Sequence, residues 1–262
     1  MKQSLNFESS FAGLSNLIST LLSSNGCPWD KKQSLKDLQR YFIEESYELL
    51  EAIDLEDNEN IKEELGDVTF NICFMMHLTK NLFQFGQDEI FGDLIKKIIN
   101  RHPHVFKEVN ENIKVNEIMS NWDDIKGEER GAKFIFESNS PRLLPALVNS
   151  LNIQEKAARF GFDWENINDV EGQLKGELEE FNKASNDLEK ELEMGDVFFS
   201  MVNLARWNNI DPEASLRKAN QRFYRRLIEV ERICNERKID IRSLNINERD
   251  DFWEEAKNNL RN

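Results

Sequence analysis

The chain has 262 residues, 32% of them charged and 39% hydrophobic, which is enough for a sizeable core in one or two domains. A formal net charge of −15, from 49 acidic against 34 basic residues, argues against broad binding to nucleic acid or to an anionic membrane surface, since both need a basic face. The cysteines, Cys27, Cys73 and Cys234, form no C-x-x-C pair, so a disulfide framework or a zinc site is disfavoured and a reducing cytoplasm fits.

With only 11 glycines and 5 prolines, and apolar residues recurring at three- and four-residue steps, the pattern predicts an all-α protein. The start, Met1 to Glu8, lacks the charged end, apolar run and cleavage site of a secretory signal. Cys27-Pro28-Trp29-Asp30 is a turn ahead of the first strong helix. Ser34 before Leu35-Lys36-Asp37 reads as a capping box, opening a helix whose apolar positions include Leu38, Tyr41, Phe42, Leu49, Leu50 and Ile53. Asp57 or Asn58 opens the next, through Ile61, Leu65, Val68 and Ile72; its most apolar run, Phe70 to Met76, is broken by Asn71 and too short to span a membrane. A further helix from about Asp88 to Arg101 should stop at Pro103.

Residues 131–145, with Gly131, Ser138, Asn139, Ser140 and Pro141, lose the periodicity and read as a linker between domains 1–130 and 146–262. Beyond it, Asp211-Pro212 is an N-cap and first-turn pair, opening a long helix through Leu216, Phe223, Leu227 and Val230.

The two halves repeat. Glu45 and Glu48 return as Glu177 and Glu180, Glu64 and Asp67 as Glu193 and Asp196, Lys97 and Arg101 as Arg222 and Arg226, and Trp122 as Trp253. Cys27-Pro28-Trp29-Asp30 and Gly161-Phe162-Asp163-Trp164 hold similar places ahead of the acidic helices. Such features, in one order and 125 to 135 residues apart, are the mark of a duplicated helical unit.

Residues three and four apart share a helix face, so Glu45 with Glu48, and Glu64 with Asp67, each point one way. The short turn Asp54-Leu55-Glu56-Asp57-Asn58 predicts that these helices pack antiparallel and bring the carboxylates together. Clustered carboxylates do not all stay ionised without a counter-ion, and an all-oxygen set suits Mg²⁺ or Mn²⁺ rather than zinc. Taken singly, E-E-x-x-E or E-L-G-D is an ordinary wet helix face; their return in the second half favours a metal site. Gly66 and Gly195, in helices that gain nothing from glycine, suggest close approach of a neighbouring helix. Ferritin-like di-iron chemistry needs Glu-x-x-His pairs, and His77, His102 and His104 supply none. Lys97 with Arg101, and Arg222 with Arg226 and Lys218, are either partners of the glutamates or holders of phosphate. Trp122 and Trp253 are either core anchors or platforms for a base. No P-loop, dinucleotide-binding or nucleophile-elbow motif is present.

Together with Arg101-His102-Pro103-His104-Val105-Phe106 and Pro141-Arg142-Leu143-Leu144-Pro145, these motifs resemble the MazG nucleoside triphosphate pyrophosphohydrolases over nearly the whole chain. The resemblance implies an all-α fold of tandem helical units, a homodimer, and Mg²⁺-dependent hydrolysis of nucleoside triphosphates to monophosphate and pyrophosphate. Carried over, it makes Glu177, Glu180, Glu193 and Asp196 the metal ligands of the second half, with Lys218, Arg222 and Arg226 on the phosphates and Trp253 near the base. Glu45, Glu48, Glu64, Asp67, Lys97 and Arg101 form the equivalent first-half set. The chain departs from the family pattern where Gly176 replaces the first glutamate of the second motif, which Glu44 retains in the first, and where Arg222 replaces a lysine. A cation neutralising the triphosphate, and water attacking the α-phosphorus with Glu177 orienting it, completes the expected mechanism. A non-catalytic helical interaction module, or a narrower deoxyuridine triphosphate hydrolase, are the alternatives.

Overall fold

A computed structural model describes residues 7–107, 114–129 and 144–261. Every regular element among the described residues is helical, as the periodicity predicts. The chain divides into two compact units, residues 1–113 and 114–262. That division lies upstream of the expected linker, whose residues 131–143 fall outside the described set.

Unit 1 runs through α1 (Phe11–Leu22), α2 (Leu35–Asp54), α3 (Asn58–Phe83), α4 (Gln87–Arg101) and the short α5 (Pro103–Phe106). The Ser34 side chain accepts from the Asp37 N–H at 3.3 Å while Asp37 Oδ2 accepts from the Ser34 N–H at 2.9 Å, so α2 starts on the capping box. A cap of this kind stabilises by about 1 kcal/mol. Asp57 caps α3, and only Leu55, Glu56 and Asp57 separate α2 from α3, Glu56 taking the left-handed conformation at φ 55°. A turn this short leaves the two helices antiparallel and in contact. Their apolar stripes close over α1, where Ile18, Leu38, Cys73 and Phe74 form a core extended by Leu14, Tyr41 and Phe70. Pro103, which cannot continue α4, begins α5; the ring Nδ1 of His102 lies 2.7 Å from the Ile98 carbonyl and seals the end of α4.

Unit 2 contains α6 (Val115–Glu129), α7 (Ala146–Arg159), α8 (Ile167–Lys183), α9 (Asp187–Trp207), α10 (Pro212–Arg237) and α11 (Ile246–Asn259). Asn166 caps α8 and Asn186 caps α9, and only Ala184, Ser185 and Asn186 separate the two. The antiparallel pair α8 and α9 therefore repeats the design of α2 and α3, with α7 packed on α9 as α1 packs on α3. Asp211 accepts from the Ala214 N–H at 2.9 Å and, with Pro212, starts α10 as predicted. A second core, of Val230, Ile233, Cys234, Leu244, Phe252 and Ala256, joins α10 to α11. Beside it Glu229 accepts from Arg232 Nε at 2.8 Å and Asn259 Nδ2 at 2.7 Å. These bonds, that of Arg232 foremost, hold the Glu229 carboxyl at about 2.

One packing expectation fails. A Cβ built on Gly66 or on Gly195 meets nothing within 4 Å, so neither glycine admits a close neighbouring helix in its unit.

Candidate active site and metal centre

The turn between α8 and α9 sets the register that matters for chemistry. Glu177 and Glu180 lie on α8 at i and i+3, Glu193 and Asp196 on α9 at the same spacing, and the antiparallel pairing brings the two faces together. Oxygens of Glu177, Glu180 and Glu193 all lie within 4.8 Å of one another. Oxygens of Glu45, Glu48 and Glu64 are as close on α2 and α3. In each triad the middle residue is exposed and the others half-buried, so ligand atoms and solvent access coincide. Asp67 and Asp196 are exposed and stand outside the tight triads, yet their charge is felt within them.

Burial raises the Glu193 carboxyl above its ordinary range, and the charges of Glu180, Asp196 and Glu177 push the same way. Glu45 and Glu64 are likewise raised, first by burial and then by their acidic neighbours. A hydrogen bond between the two favours the proton on Glu45. Glu64 Oε2 is buried with no hydrogen-bond partner. Raised carboxyls and an orphaned buried oxygen mean that negative charge is concentrated beyond what the protein alone neutralises. The all-oxygen donor set therefore fits a hard divalent cation, which Glu177, Glu180 and Glu193 would hold in unit 2 and Glu45, Glu48 and Glu64 in unit 1.

A feature no motif announces adjoins the unit 2 cluster. Glu177 and Asp196 form part of the wall of a cavity of about 510 Å³, whose other walls include Gln154 of α7, Phe162 and Trp164 of the loop before α8, and Asn203 of α9. The volume is that of an ordinary small-molecule site. Gly161, at φ 81°, turns the chain out of α7 in a conformation that only glycine adopts without strain. Asp163 then anchors the loop to α9: its carboxylate accepts from Arg206 Nη1 at 2.9 Å and from Trp207 Nε1 at 3.3 Å. Although burial opposes it, the hydrogen bond from Arg206 helps hold the Asp163 carboxyl below its ordinary range.

The cationic residues are carried by α10 and α4. Arg222 and Lys218 are exposed on α10 and Arg226 is half-buried there. Neither arginine pairs with a cluster carboxylate among the described residues. The Arg226 guanidinium instead lies 5.7 Å from the Trp253 ring centre, and Trp253 packs on Phe223 at 5.1 Å, against the α10–α11 core. Trp253 is not part of the cavity wall. Lys97 is exposed and Arg101 half-buried on α4. Gly176, where the second motif departs from the first, opens onto space, whereas Glu44 is drawn into an exposed pair with Arg40 at 2.8 Å.

Paired helices presenting acidic triads, one beside a ligand-sized cavity, define an all-α protein with carboxylate clusters of cation-binding composition, and the comparisons give its family. A family model described as the MazG nucleotide pyrophosphohydrolase domain matches residues 33–106, the span of α2 to α5. Over 250 residues the chain is 38% identical to the nucleoside triphosphate pyrophosphohydrolase/pyrophosphatase MazG of Thermotoga maritima, covering 94% of this chain and 95% of that protein. It is 37% identical over 241 residues to the nucleoside triphosphate pyrophosphohydrolase of Escherichia coli K12, covering 89% and 91% respectively. The chain belongs to the MazG nucleotide pyrophosphohydrolase family, and it is a hydrolase.

Proposed function

We propose that the protein hydrolyses nucleoside triphosphates to the monophosphate and pyrophosphate, with unit 2 as the principal site. The observation that carries this reading is the shared wall: Glu177 and Asp196 belong both to the acidic face and to the cavity. A phosphate chain over the carboxylates leaves the rest of a nucleotide in a space of suitable size. Mg²⁺, or Mn²⁺ in its stead, held by Glu177, Glu180 and Glu193 with Asp196 beside them, would neutralise the phosphate chain and acidify a nearby water.

The chain's own residues supply the remainder. Water oxygen bonds to the α-phosphorus as the bridge to the β-phosphorus breaks, and pyrophosphate carries away the electron pair. We assign to Glu177 the proton of that water; Gln173 Nε2 donates to Glu177 Oε1 and holds the carboxylate in place. Arg222, Arg226 and Lys218 are assigned to the departing pyrophosphate, which needs positive charge as it leaves. In unit 1, Lys97 and Arg101 would play that part toward Glu45, Glu48, Glu64 and Asp67.

The same reading takes the protein as a homodimer. Leu188, Leu192, Phe198 and Met201 of α9, with Phe223 and Tyr224 of α10, are all more than half exposed, and a soluble monomer rarely shows so many large apolar side chains on neighbouring helices. Sedimentation equilibrium checks this, a monomer at micromolar concentration being the contrary result. No helix among the described residues is long and apolar enough to cross a membrane, and the three free cysteines accord with a reducing cytoplasm. Phosphorus NMR of a triphosphate incubated with the protein tests the function. Monophosphate and pyrophosphate, formed only with Mg²⁺, is the expected result; diphosphate and phosphate would mean attack elsewhere.

A further inference from the structure

Between α1 and α2 the chain carries its one Asn-Gly pair, Asn25-Gly26, in a turn where the asparagine is exposed. Packing dictates the glycine. A Cβ built on Gly26 would lie 2.0 Å from the Leu21 carbonyl oxygen and 2.6 Å from that of Thr20, so a side chain there would force the backbone to move. The approach is close because the Cys27 N–H donates to the same Leu21 oxygen at 2.8 Å, which satisfies a carbonyl of the last turn of α1.

Asn-Gly is also the pair in which a backbone nitrogen most easily reaches a side-chain amide, since glycine puts no Cβ in the way. The Gly26 nitrogen gives its proton to solvent base and bonds to Asn25 Cγ. The bond from Cγ to Nδ2 then breaks, and ammonia leaves with its electron pair and a proton from water. A water molecule opens the cyclic imide at either carbonyl, giving aspartate or isoaspartate. Both products add a negative charge, and isoaspartate also lengthens the backbone by carrying it through Cβ.

The fold opposes the first step. The Gly26 N–H is engaged, donating to the Ser23 carbonyl at 2.9 Å. Lys31 Nζ donates to the Ser24 carbonyl at 2.9 Å. The peptide before Asn25 is therefore tied by Lys31 and the peptide after it by Ser23. Attack needs a free Gly26 nitrogen and rotation about the Asn25 backbone, and neither is available until the turn opens.

We propose that Asn25 is a site of spontaneous deamidation, and that the Lys31 clasp sets its rate in the folded chain. The modification falls in unit 1, on the segment leading to Trp29, which packs on Tyr41 at 6.1 Å, one helical turn before Glu45. It is independent of which unit hydrolyses the substrate.

Peptide mass spectrometry of protein aged in mildly alkaline buffer follows the conversion of amide to acid. In urea, where the turn is lost, Asn25 should convert at least about tenfold faster than in the folded chain, the scale of one local opening. Lys31→Met keeps the side-chain stem and removes the ammonium. It should speed the folded reaction by about three- to tenfold, the effect of one hydrogen bond lost, while Lys31→Arg, which still donates, should keep the slow rate. Asn25→Gln closes the corresponding ring far more slowly and should abolish the signal. If the unfolded chain shows no conversion at Asn25, the site is refuted. If folded and unfolded chains convert equally fast, or Lys31→Met melts like the unaltered protein and converts no faster, the clasp is refuted.

Discussion

On α3 and α9, counted from the same E-x-G-D motif, the chain places Phe74 in one unit and Asn203 in the other. Phe74 is 1% exposed, at the centre of a core with Ile18, Leu38 and Cys73. Asn203 instead lines a cavity and is held by Arg206. Both units keep the acidic triad on an antiparallel helix pair. The difference teaches that the two parts of such a site are separable: carboxylate placement follows from helix spacing and a three-residue turn, while the space beside it depends on a few side-chain volumes. At this position unit 1 places a core side chain and unit 2 a cavity wall.

The sharpest way to break the comparison is to remove one aspartate at a time. Asp196→Ala should lower kcat/KM for ATP by at least about 100-fold, the scale of losing one electrostatic element at a reacting phosphate. Asp67→Ala should change it only a few-fold, and equal losses in the two variants would overturn the assignment of unit 2 as principal site. Stability should run the opposite way. Phe74→Ala empties a packed core and should cost about 3–5 kcal/mol by urea denaturation. Asn203→Ala, at a cavity wall, should cost under about 1.5 kcal/mol on that scale. Mg²⁺ at 100 times its dissociation constant should stabilise the folded state by about 2.7 kcal/mol for each site it occupies. Glu193→Gln should remove the part that belongs to unit 2, leaving the part contributed by Glu45, Glu48 and Glu64, as read by calorimetry with and without chelator.

The smallest effect concerns acid. The Glu229 carboxyl titrates at about 2 in the folded chain against 4.5 as its ordinary value. A depressed carboxyl contributes stability that is fully present above pH 4.5 and is lost as the pH falls from there toward about 2. The fall in melting temperature across that window should be shallower in Glu229→Gln than in the unaltered protein. An unchanged slope would mean that the bonds to Arg232 and Asn259 do not govern acid stability.

Helix starts at Ser34, Asp57 and Asp211 were legible because capping is local: the side chain that ends the ambiguity lies within three residues of the backbone it serves. The acidic triads were legible for a related reason, since i,i+3 spacing puts two carboxylates on one face and the repeat supplies the second helix. The cavity was not. Its key bond joins Gln154 to Phe199, 45 residues apart, and its loop anchor joins Asp163 to Arg206, 43 apart. Nothing in local spacing pairs such residues; only the packing of α7 and the preceding loop on α9 does. The glycines misled for the converse reason. Gly66 and Gly195 break helix propensity in the sequence, yet the missing side chains face open space rather than a neighbouring helix.

The most direct measurement is hydrolysis of ATP in ¹⁸O-enriched water with Mg²⁺, followed by phosphorus NMR, in which the isotope shifts the resonance of the phosphorus it joins. The account predicts AMP carrying the label and unlabelled pyrophosphate, because water bonds to the α-phosphorus. Label in the pyrophosphate would place the attack on the β-phosphorus, and ADP with labelled phosphate would place it on the γ-phosphorus; either result contradicts the central claim.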